Sequence, residues 1–516
     1  MTGLMNKRIL GAGSGLLAAA AGVGAGSAVA ALVSGTASPI VSVGNAVIDA
    51  TPGALKDWAV ETFGENDKTV LLGSVFVVIG VLAAAAGAIG VTRRRAAVAV
   101  ATVLGLLAVT AAAIDRTVIA AAWVAVIPAV ATLAVTVGAF ALLLSVLSPP
   151  IGAHSAEQEP RGFDRRRFLV VAVGVGAVAA GGGLLSRVYG GLEAAASRMG
   201  VRIPTPSDPV RPVPQGVEAD VPGVSSYLTG NDQFYRVDTA LQIPDVPAES
   251  WRLRIHGLVD NELNLSFAEL LDRRLIERRI TLTCVSNQVG GDLVGNATWI
   301  GVPTKALLAE VGVDPSADAV LSTSADDMTI GTPLGALTDD RESMLAIAMN
   351  GDPLPLEHGF PVRMVVPGLY GFVSATKWLV DLEVTRFRDI SAYWTERGWS
   401  QKAPIKTSSR IDVPRSFQSM PAESVYVAGV AWAQTEGIAK VEVRVDDGAW
   451  HQVDLAAEDS INTWRQWSWK WRDATPGTHE VSVRATDATG KTQTSERVDP
   501  RPDGSTGWHS VQFTVE

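Results

Sequence analysis

Long apolar runs dominate the first 190 residues of the chain. Five segments carry almost no charge, and they lie near residues 9–33, 69–91, 96–114, 118–147 and 168–185. Each is close to or above the ~20 residues that a helix needs to cross the hydrocarbon core of a bilayer. The pattern therefore predicts an all-α transmembrane bundle of about five helices over residues 1–190.

After residue 190 the apolar positions become shorter and more closely spaced. Residues 191–224 are rich in Pro and Gly, which predicts an extended linker. Residues 225–405 mix strand-like and helical patterns, with two strands around a turn within Trp251–Phe267 and an amphipathic helix over Ser266–Ile280. Ser266 and Glu269 have the spacing of a capping box at the start of that helix. A second short helix begins at Pro303, so this region is predicted to be an α+β domain.

The last segment, residues 406–516, has a different texture. Short stretches of alternating apolar and polar residues are separated by regularly spaced turns such as Asp446-Asp447-Gly448 and Pro476-Gly477. This arrangement is typical of a β-sandwich of the immunoglobulin type. The chain as a whole is therefore predicted to have three parts: a transmembrane bundle, an α+β domain and a β-sandwich.

Basic residues give the predicted bundle an orientation. They cluster at Lys7 and Arg8, at 93–95, at Arg161 and at 165–167. All of these fall on one side of the membrane if the N-terminus is cytoplasmic, as the positive-inside rule requires. With five crossings, we expect a multi-pass cell-membrane protein whose residues after 190 are extracytoplasmic.

A basic motif precedes the fifth apolar segment. The stretch Arg165-Arg166-Arg167-Phe168-Leu169, followed by Gly- and Ala-rich residues, resembles a twin-arginine export signal. Such signals export folded proteins, often with a cofactor already inserted. The alternative interpretation is that these arginines only orient the helix.

Charge and composition exclude several classes of function. The first 190 residues carry 13 Lys and Arg against 9 Asp and Glu, and the remainder carries 30 against 44. This acidic second part argues against a nucleic-acid partner. None of the six histidines lies in a predicted membrane helix, which excludes a haem held there by two histidines. A single cysteine excludes a Cys-ligated iron–sulfur cluster, so neither haem nor iron–sulfur is expected.

That single cysteine, Cys284, lies in a stretch that resembles a known family. "LTCVSNQVGGDLVGNATWIGVPTKALL" and "MNGDPLPLEHGFPVRMVVPGLYGFVSATKWLVDLEV" resemble the sulfite oxidase family of molybdopterin enzymes, and "NDQFYRVDTAL" matches more loosely. The resemblance covers roughly residues 225–400. The segment behind it resembles the family's dimerisation domain, which implies a homodimer.

The resemblance implies a molybdenum–molybdopterin cofactor and assigns residues to it. Cys284 would be the thiolate ligand of molybdenum, a soft ligand suited to a redox metal. Arg236 matches a residue that faces the substrate anion, so Cys284 and Arg236 are the candidate catalytic residues. The residues that match cofactor contacts are Phe234, Tyr235, Arg236, Asp238, Ser324, His358, Arg363, Ala375, Thr376 and Lys377.

The sequence departs from the family near the expected substrate. Gln288 and Val289 occupy the positions at which sulfite oxidases carry an Arg, and Trp399 stands where a Tyr is usual. Losing a cation weakens the hold on a small anion. We expect two-electron oxygen-atom transfer on a sulfur-containing or other small oxo substrate. Sulfite oxidase proper and sulfoxide reductase are the alternatives, and a membrane receptor or scaffold that kept the fold is the alternative that is not an enzyme.

Further expectations concern the pocket, transport across the membrane and the route of the electrons. Candidate pocket residues are Gln288, Tyr370, Tyr393, Trp394 and Trp399. The lack of intramembrane ionisable residues argues against a transporter. Electrons must enter or leave the site, so we expect a separate electron-transfer partner or a quinone at the membrane.

Overall fold

The computed structural model describes residues 2–33, 37–52, 55, 58–59, 62–63, 67–115, 121–147, 164–189 and 192–516. It forms two compact units. The helical unit comprises Met1–Ala196 and Thr239–Asp245, and the second unit comprises Ser197–Asp238 and Val246–Glu516.

Among its described residues, the helical unit contains five helices that are long and apolar enough to cross a membrane, as predicted. Its described helices are α1 (Thr2–Leu32), α2 (Pro39–Ala50), α3 (Asp67–Gly90), α4 (Arg94–Ile114), α5 (Ala122–Ala125), α6 (Ile127–Leu147) and α7 (Arg165–Tyr189), together with the first residues of α8 (Leu192–Gly200). Arg161, one of the predicted orienting residues, lies outside the described residues.

Three features of this unit were not predicted. The short helix α2 lies in a predicted loop, where the Ser38 side chain caps its first turn by accepting from the Val41 N–H. The fourth apolar segment is split at Val126 into α5 and α6. Part of the predicted linker is helical, because α8 covers Leu192–Gly200. The hydrophobic pattern missed α2 and α8 because they are only 12 and 9 residues long.

Helix α1 packs against α3, α6 and α7 through small residues. A Cβ atom on Gly15 would lie 1.9 Å from the carbonyl oxygen of Ala83, and one on Gly87 would lie 2.0 Å from that of Gly11. Only glycine allows the α1 and α3 backbones to approach this closely. The bundle is therefore held by close backbone packing of the kind found between membrane helices.

The first part of the second unit contains one antiparallel sheet and one mixed sheet. One has the order Ile276–Thr283 (β3), Val294–Pro303 (β4), Met344–Met349 (β7) and Asp352–Pro353 (β8), with Arg363–Val365 (β9) also paired to β7. The other has the order Leu263–Ser266 (β2), Arg252–Gly257 (β1), Leu379–Thr385 (β10), Ala319–Ser324 (β5) and Thr329–Pro333 (β6). The helices here are α9 (Phe267–Leu271), α10 (Thr304–Val311) and α11 (Leu334–Thr338).

The predicted helix over Ser266–Ile280 is wrong beyond its first turns. Its capping box is present, since the Ser266 and Glu269 side chains each accept from the other's backbone N–H. The helix nevertheless ends at Leu271, and residues 276–283 form β3 instead. Strand β3 pairs with β4 along its whole length, and this tertiary pairing overrides the local helical pattern.

Residues 201–224 form no helix and no strand beyond a single bridge between Asp208 and Ile276. They are nevertheless hydrogen-bonded to the rest of the unit. For example, the Ala219 N–H donates to Gln466 Oε1 at 2.7 Å. The segment predicted as a linker thus lies along the second unit rather than free of it.

The last part of the chain is a pair of sheets around a shared core. One sheet has the order Ser408–Val413 (β11), Tyr426–Trp432 (β13), Arg465–Lys470 (β17) and Asp454–Leu455 (β16). The other has the order Ser419–Met420 (β12), His509–Val515 (β19), Gly477–Asp487 (β18), Ile438–Val445 (β14) and His451–Gln452 (β15). Side chains from both sheets, including Trp467 and Phe513, form one buried cluster. We call residues 408–515 the C-terminal sandwich; its assignment to the immunoglobulin type stays a prediction.

Candidate active site

Cys284 is the first residue after β3, at the start of a tight loop that returns to β4. Its N–H donates to the carbonyl oxygen of Leu293 at 2.9 Å, and its own carbonyl accepts from the Asn287 N–H at 3.1 Å. The side chain is buried, with 8% of the residue exposed. Burial raises the pKa of the thiol, while hydrogen bonds from Ser286 and the charge of Lys377 lower it.

An aromatic group lies beside the cysteine segment. The Phe234 ring stacks on Tyr235 with 5.2 Å between centroids, and it meets the rings of His358 and Trp299 edge-on at 5.6 and 5.9 Å. Burial raises the pKa of Tyr235, the charge of Cys284 acts in the same direction, and Arg363 opposes both. The stretch that contains Phe234 and Tyr235 therefore lies next to the stretch that contains Cys284, as expected if both belong to one site.

Arg363 is a buried cation in strand β9. One of its terminal nitrogens donates to the carbonyl oxygen of His358 at 3.2 Å, and the guanidinium carbon lies 5.1 Å from the centre of the Trp299 ring. Its Nε atom is buried and has no hydrogen-bond partner in the described part of the chain. Burial lowers the pKa of Arg363 to about 10. A buried guanidinium held mainly by a carbonyl and a ring is arranged to meet an anion.

Lys377 lies in the same region and is held by Asp238. The Lys377 ammonium donates to Asp238 Oδ2 at 2.8 Å and to the carbonyl oxygen of Glu357 at 3.0 Å. Asp238 also accepts from Arg236 Nε at 2.9 Å. The side chains of Lys377 and Asp238 are 9% and 3% exposed, whereas that of Arg236 is 41% exposed. Burial lowers the pKa of Lys377 to about 8, and Asp238 opposes that shift.

A glycine brings these cations together. His358 ends a short 3₁₀ helix (Leu356–His358), and Gly359 follows with a left-handed φ of 106°. A Cβ on Gly359 would lie 3.0 Å from Lys377 Cβ and 3.1 Å from Arg363 Cβ. The buried His358 ring contacts the carbonyl oxygen of Asn231 through Nε2 at 3.0 Å. Burial and the neighbouring Arg363 lower the pKa of His358 to about 4.

The remaining predicted contact residues are placed more peripherally. Thr376 Oγ1 lies 2.5 Å from Ser322 Oγ, and its carbonyl oxygen accepts from Met364 in β9. The backbone N–H groups of Ala375 and Ser324 are already engaged, with the carbonyl oxygens of Gly371 and Met328. Thr376 therefore lies against the strand that carries Arg363, while Ala375 and Ser324 have no described hydrogen bond to the cations.

Two neighbours of the cations were missed by the sequence analysis. Trp299 lies beneath Arg363, and the buried Asp326 lies close enough to Asp238 that its carboxyl pKa, already raised by burial, is raised further. Trp299 is part of the quoted "GNATW" stretch, so its aromatic character was the available signal. Nothing in the sequence around Asp326 indicated a role, because its proximity to Asp238 arises only in the fold.

A cleft lies between the loop that carries Cys284 and the C-terminal sandwich. Its lining residues carry no formal charge; they are Thr283, Asn287, Gln288, Val289, Gly290, Tyr370, Ser408, Ser409, Trp432, Gln493, Ser505, Thr506 and Gly507. The buried Thr283 Oγ1 and Trp432 Nε1 atoms have no hydrogen-bond partner among the residues that the structure describes. Polar atoms in such positions are suited to a small neutral molecule or to water.

The predicted pocket residues divide between two places. Gln288 and Tyr370 line the cleft. Trp394 instead packs against Tyr393 and Trp399, with centroids 5.0 and 6.2 Å apart, and Trp399 packs against Phe372 at 5.6 Å. The aromatic residues 393, 394 and 399 thus form a cluster of their own and do not line the cleft.

Comparison with known proteins supports one family. A family model described as "Oxidoreductase molybdopterin binding domain" matches residues 240–394. This range contains Cys284, His358, Arg363 and Lys377, while the stretch around Phe234 lies just before it. The sequence evidence and the family match therefore overlap on the cysteine, the histidine and both buried cations.

Several curated proteins are similar to the chain. Mitochondrial sulfite oxidase of Homo sapiens is 26% identical over 304 residues, which cover 50% of this chain and 55% of that protein. The uncharacterized oxidoreductase YuiH of Bacillus subtilis (strain 168) is 32% identical over 166 residues, 31% of this chain and 80% of that protein. The chain spans about half the length of the mammalian relatives it matches.

A solved structure is also similar. The sulfane dehydrogenase SoxCD from Paracoccus pantotrophus matches with a TM-score of 0.49 and 22% sequence identity, covering 57% of this chain and 84% of that chain.

Proposed function

Because the chain belongs to the family of oxidoreductases with a molybdopterin-binding domain, we propose that it is a membrane-anchored, extracytoplasmic molybdenum enzyme. It would catalyse a two-electron reaction, oxygen-atom transfer on a sulfur-containing or other small oxo substrate. The observation that carries the proposal is the group of cations around Gly359, within the stretch of chain that also holds Cys284.

The residues present fit the anionic end of a molybdopterin. Arg363 is buried, its Nε atom has no hydrogen-bond partner within the ranges that the structure covers, and Lys377 lies beside it. A buried cation without an anion costs free energy, which a phosphate would offset through charge-assisted hydrogen bonds. Arg363 and Lys377 would hold the phosphate, and His358 and Tyr235 would contact the rest of the pterin.

Cys284 fits the metal end. It is a single buried thiol whose position is fixed by hydrogen bonds of its own backbone to Leu293 and Asn287. A thiolate is the appropriate ligand for a redox metal. Burial alone raises the pKa of the Cys284 thiol, and metal coordination would oppose this shift because it favours the deprotonated form. Bound molybdenum would supply the two-electron redox chemistry.

The neutral lining of the cleft beside the cysteine loop favours an uncharged substrate over sulfite. The cleft beside the cysteine loop is lined by neutral residues, among them Gln288 and Val289. Arg236, the exposed cation of the predicted site, already interacts with the Asp238 carboxylate. A sulfoxide, which offers an acceptor oxygen without a charge, suits neutral donors such as Gln288 better than sulfite does. Sulfite oxidase proper is the alternative reaction.

The helical unit supports the localisation. Five helices are long and apolar enough to span a membrane, and basic clusters flank the first, third and fifth of them. We infer an N-terminus in the cytoplasm and a catalytic domain outside it, with electrons exchanged with a separate redox protein or a membrane quinone. A homodimer through the C-terminal sandwich is part of the same proposal. Protease protection and a C-terminal reporter in spheroplasts would test the orientation.

Metal and pterin analysis of the full-length protein in detergent is the direct test. One molybdenum and one pterin per chain are expected for the wild type expressed with ample molybdate, and Cys284→Ala should lose the metal. A folded wild type without either component would contradict the proposal. A panel of sulfite, sulfoxides and N-oxides with artificial electron donors and acceptors would then identify the reaction, and turnover of sulfite alone would favour the alternative.

A further inference from the structure

The C-terminal sandwich makes direct hydrogen bonds to the strand that precedes Cys284. Thr281, three residues before the cysteine, is fully buried. Its N–H donates to the carbonyl oxygen of Asn462 at 3.0 Å, and its Oγ1 accepts from the Trp464 N–H at 2.8 Å. Its carbonyl oxygen accepts from Gln434 Nε2 at 2.5 Å. Three contacts to one residue fix the end of β3 against the sandwich.

The sandwich also holds the loop that follows Cys284. Ser505 Oγ donates to the carbonyl oxygen of Asn287 at 2.7 Å, and a terminal nitrogen of Arg410 donates to that of Gly291 at 3.0 Å. Gly290 adopts a left-handed φ of 82°, and a Cβ there would lie 2.3 Å from the His509 ring. The loop is thus bound at two carbonyl groups and packed against a ring between them.

The groups that hold the loop are themselves immobilised. Arg410 is bound by Asp412 at 2.7 Å and by Ser225 at 2.9 Å. The His509 ring accepts from the Ile411 N–H at Nδ1, at 3.0 Å. Cys284 lies between two chain segments that are held by fixed partners, so its backbone has few alternative conformations. The backbone conformation in turn sets the direction of its side chain.

We propose that the C-terminal sandwich is the positioning element for Cys284. Ser505, Arg410 and His509 are positioning residues that set the conformation of the cysteine loop and, through it, the direction of the thiol. Any effect of this positioning on the geometry of a bound metal rests on the proposed function. The restraint on the thiol itself is independent of the proposed function, because it follows from contacts within the polypeptide.

The sole cysteine makes this restraint measurable without any metal. In metal-free full-length protein in detergent, the rate at which a maleimide labels Cys284 reports opening of its loop. Ser505→Ala removes one hydrogen bond of about 1 kcal/mol, so labelling should accelerate about fivefold. Ser505→Thr keeps a hydroxyl and should restore a rate close to that of the wild type.

The matched control is Ser510→Ala. Ser510 lies in the same sandwich, but its hydroxyl pairs with Ser482 at 2.8 Å and not with the cysteine loop. A second variant, Arg410→Lys, removes the guanidinium nitrogen that donates to Gly291 and should also accelerate labelling. Equal labelling rates for Ser505→Ala, Arg410→Lys and Ser510→Ala would overturn the proposal.

The metal-loaded protein gives an independent readout. Ser505→Ala should keep its molybdenum content but shift the g values of the Mo(V) EPR signal, whereas Ser510→Ala should not. If the wild type binds no molybdenum while the labelling difference is observed, the proposed function fails and the positioning role stands. If the metal is bound but labelling and EPR are unchanged in Ser505→Ala, the positioning role fails and the proposed function stands.

Discussion

The Lys377 ammonium lies 2.8 Å from the Asp238 carboxylate, although 139 residues separate them in the chain. Resemblance placed both among the contacts to a phosphate-bearing cofactor. A carboxylate repels a phosphate, so the geometry favours an indirect role for Asp238. It holds Lys377 in place and opposes the loss of charge that burial alone would cause.

Asp238→Asn should weaken cofactor retention. Without the carboxylate, the pKa of Lys377 falls further, and the lysine is neutral in a larger fraction of molecules at neutral pH. A phosphate partner is then attracted less strongly, and we expect several-fold less pterin to remain after gel filtration, measured by fluorescence of the oxidised pterin. Asp340→Asn is the control, since Asp340 forms a fully exposed ion pair with Lys305. Equal retention in both variants would contradict the indirect role.

Arg363→Met should affect the stability of the metal-free protein and its binding of the cofactor differently. The variant replaces a buried cation, one nitrogen of which has no partner, by an apolar side chain of similar length. Such replacements are neutral or stabilising, by about 1–4 kcal/mol. We therefore expect the metal-free variant to be at least as stable as the metal-free wild type in thermal unfolding followed by tryptophan fluorescence.

The same Arg363→Met variant should be unable to retain the pterin. A variant that was both unstable and fully loaded would show that Arg363 has a structural role and does not bind the cofactor.

His509 should make stability depend on acid pH. Burial and the charges of Arg410 and Arg497 lower its pKa to about 4, while Asp412 opposes them. The unfolded chain titrates near the ordinary value of about 6.5, so it binds more protons between these values. The contribution of His509 to the free energy of unfolding is therefore complete above about pH 6.5. It decreases by roughly 3 kcal/mol at most as the pH falls towards 4.

His509→Phe should flatten this pH dependence in denaturant titrations at pH 7, 5.5 and 4. It should also lower stability at pH 7, because the Ile411 N–H loses its acceptor. His451→Phe, at an exposed histidine of the same sandwich, is the matched control. An unchanged slope in His509→Phe would assign the acid sensitivity to other groups.

Two neighbouring glycines in α1 should respond in opposite directions. A methyl group on Gly15 would lie 1.9 Å from the Ala83 carbonyl oxygen, whereas one on Gly13 meets no atom within 4 Å. Gly15→Ala should therefore destabilise the bundle by about 1–3 kcal/mol through overpacking. Gly13→Ala should be neutral or slightly stabilising, because alanine favours the helix. Circular dichroism melting in detergent would measure both, and equal melting curves would show that α1 and α3 do not pack in this way.

The sequence predicted the features that local patterns encode. Long uncharged runs give apolar helices wherever they occur, and the capping box at Ser266 and Glu269 formed as its spacing required. Helix propensity gave a wrong prediction where pairing with a distant strand determined the secondary structure. Residues 276–280 read as a continuation of an amphipathic helix but pair as a strand with residues 297–301.

The candidate site was predictable only as a set of residue types. Motifs placed Cys284, Arg363 and Lys377 in one site, and the fold brings their stretches together. The pairing of Lys377 with Asp238, the Trp299 ring beneath Arg363 and the hold of Ser505 on the cysteine loop all join residues far apart in the chain. Periodicity and spacing carry no information about such contacts.

Gly359 has a consequence for how relatives of this chain can diverge. Any side chain at this position would have to displace Lys377 or Arg363 and would also adopt a left-handed backbone conformation. Residues 288 and 289 line an open cleft and face no such restriction. Saturation libraries selected for cofactor retention should therefore keep a single amino acid at position 359 while accepting many at 288 and 289. New substrate preferences can then evolve in the cleft while the cation site stays the same.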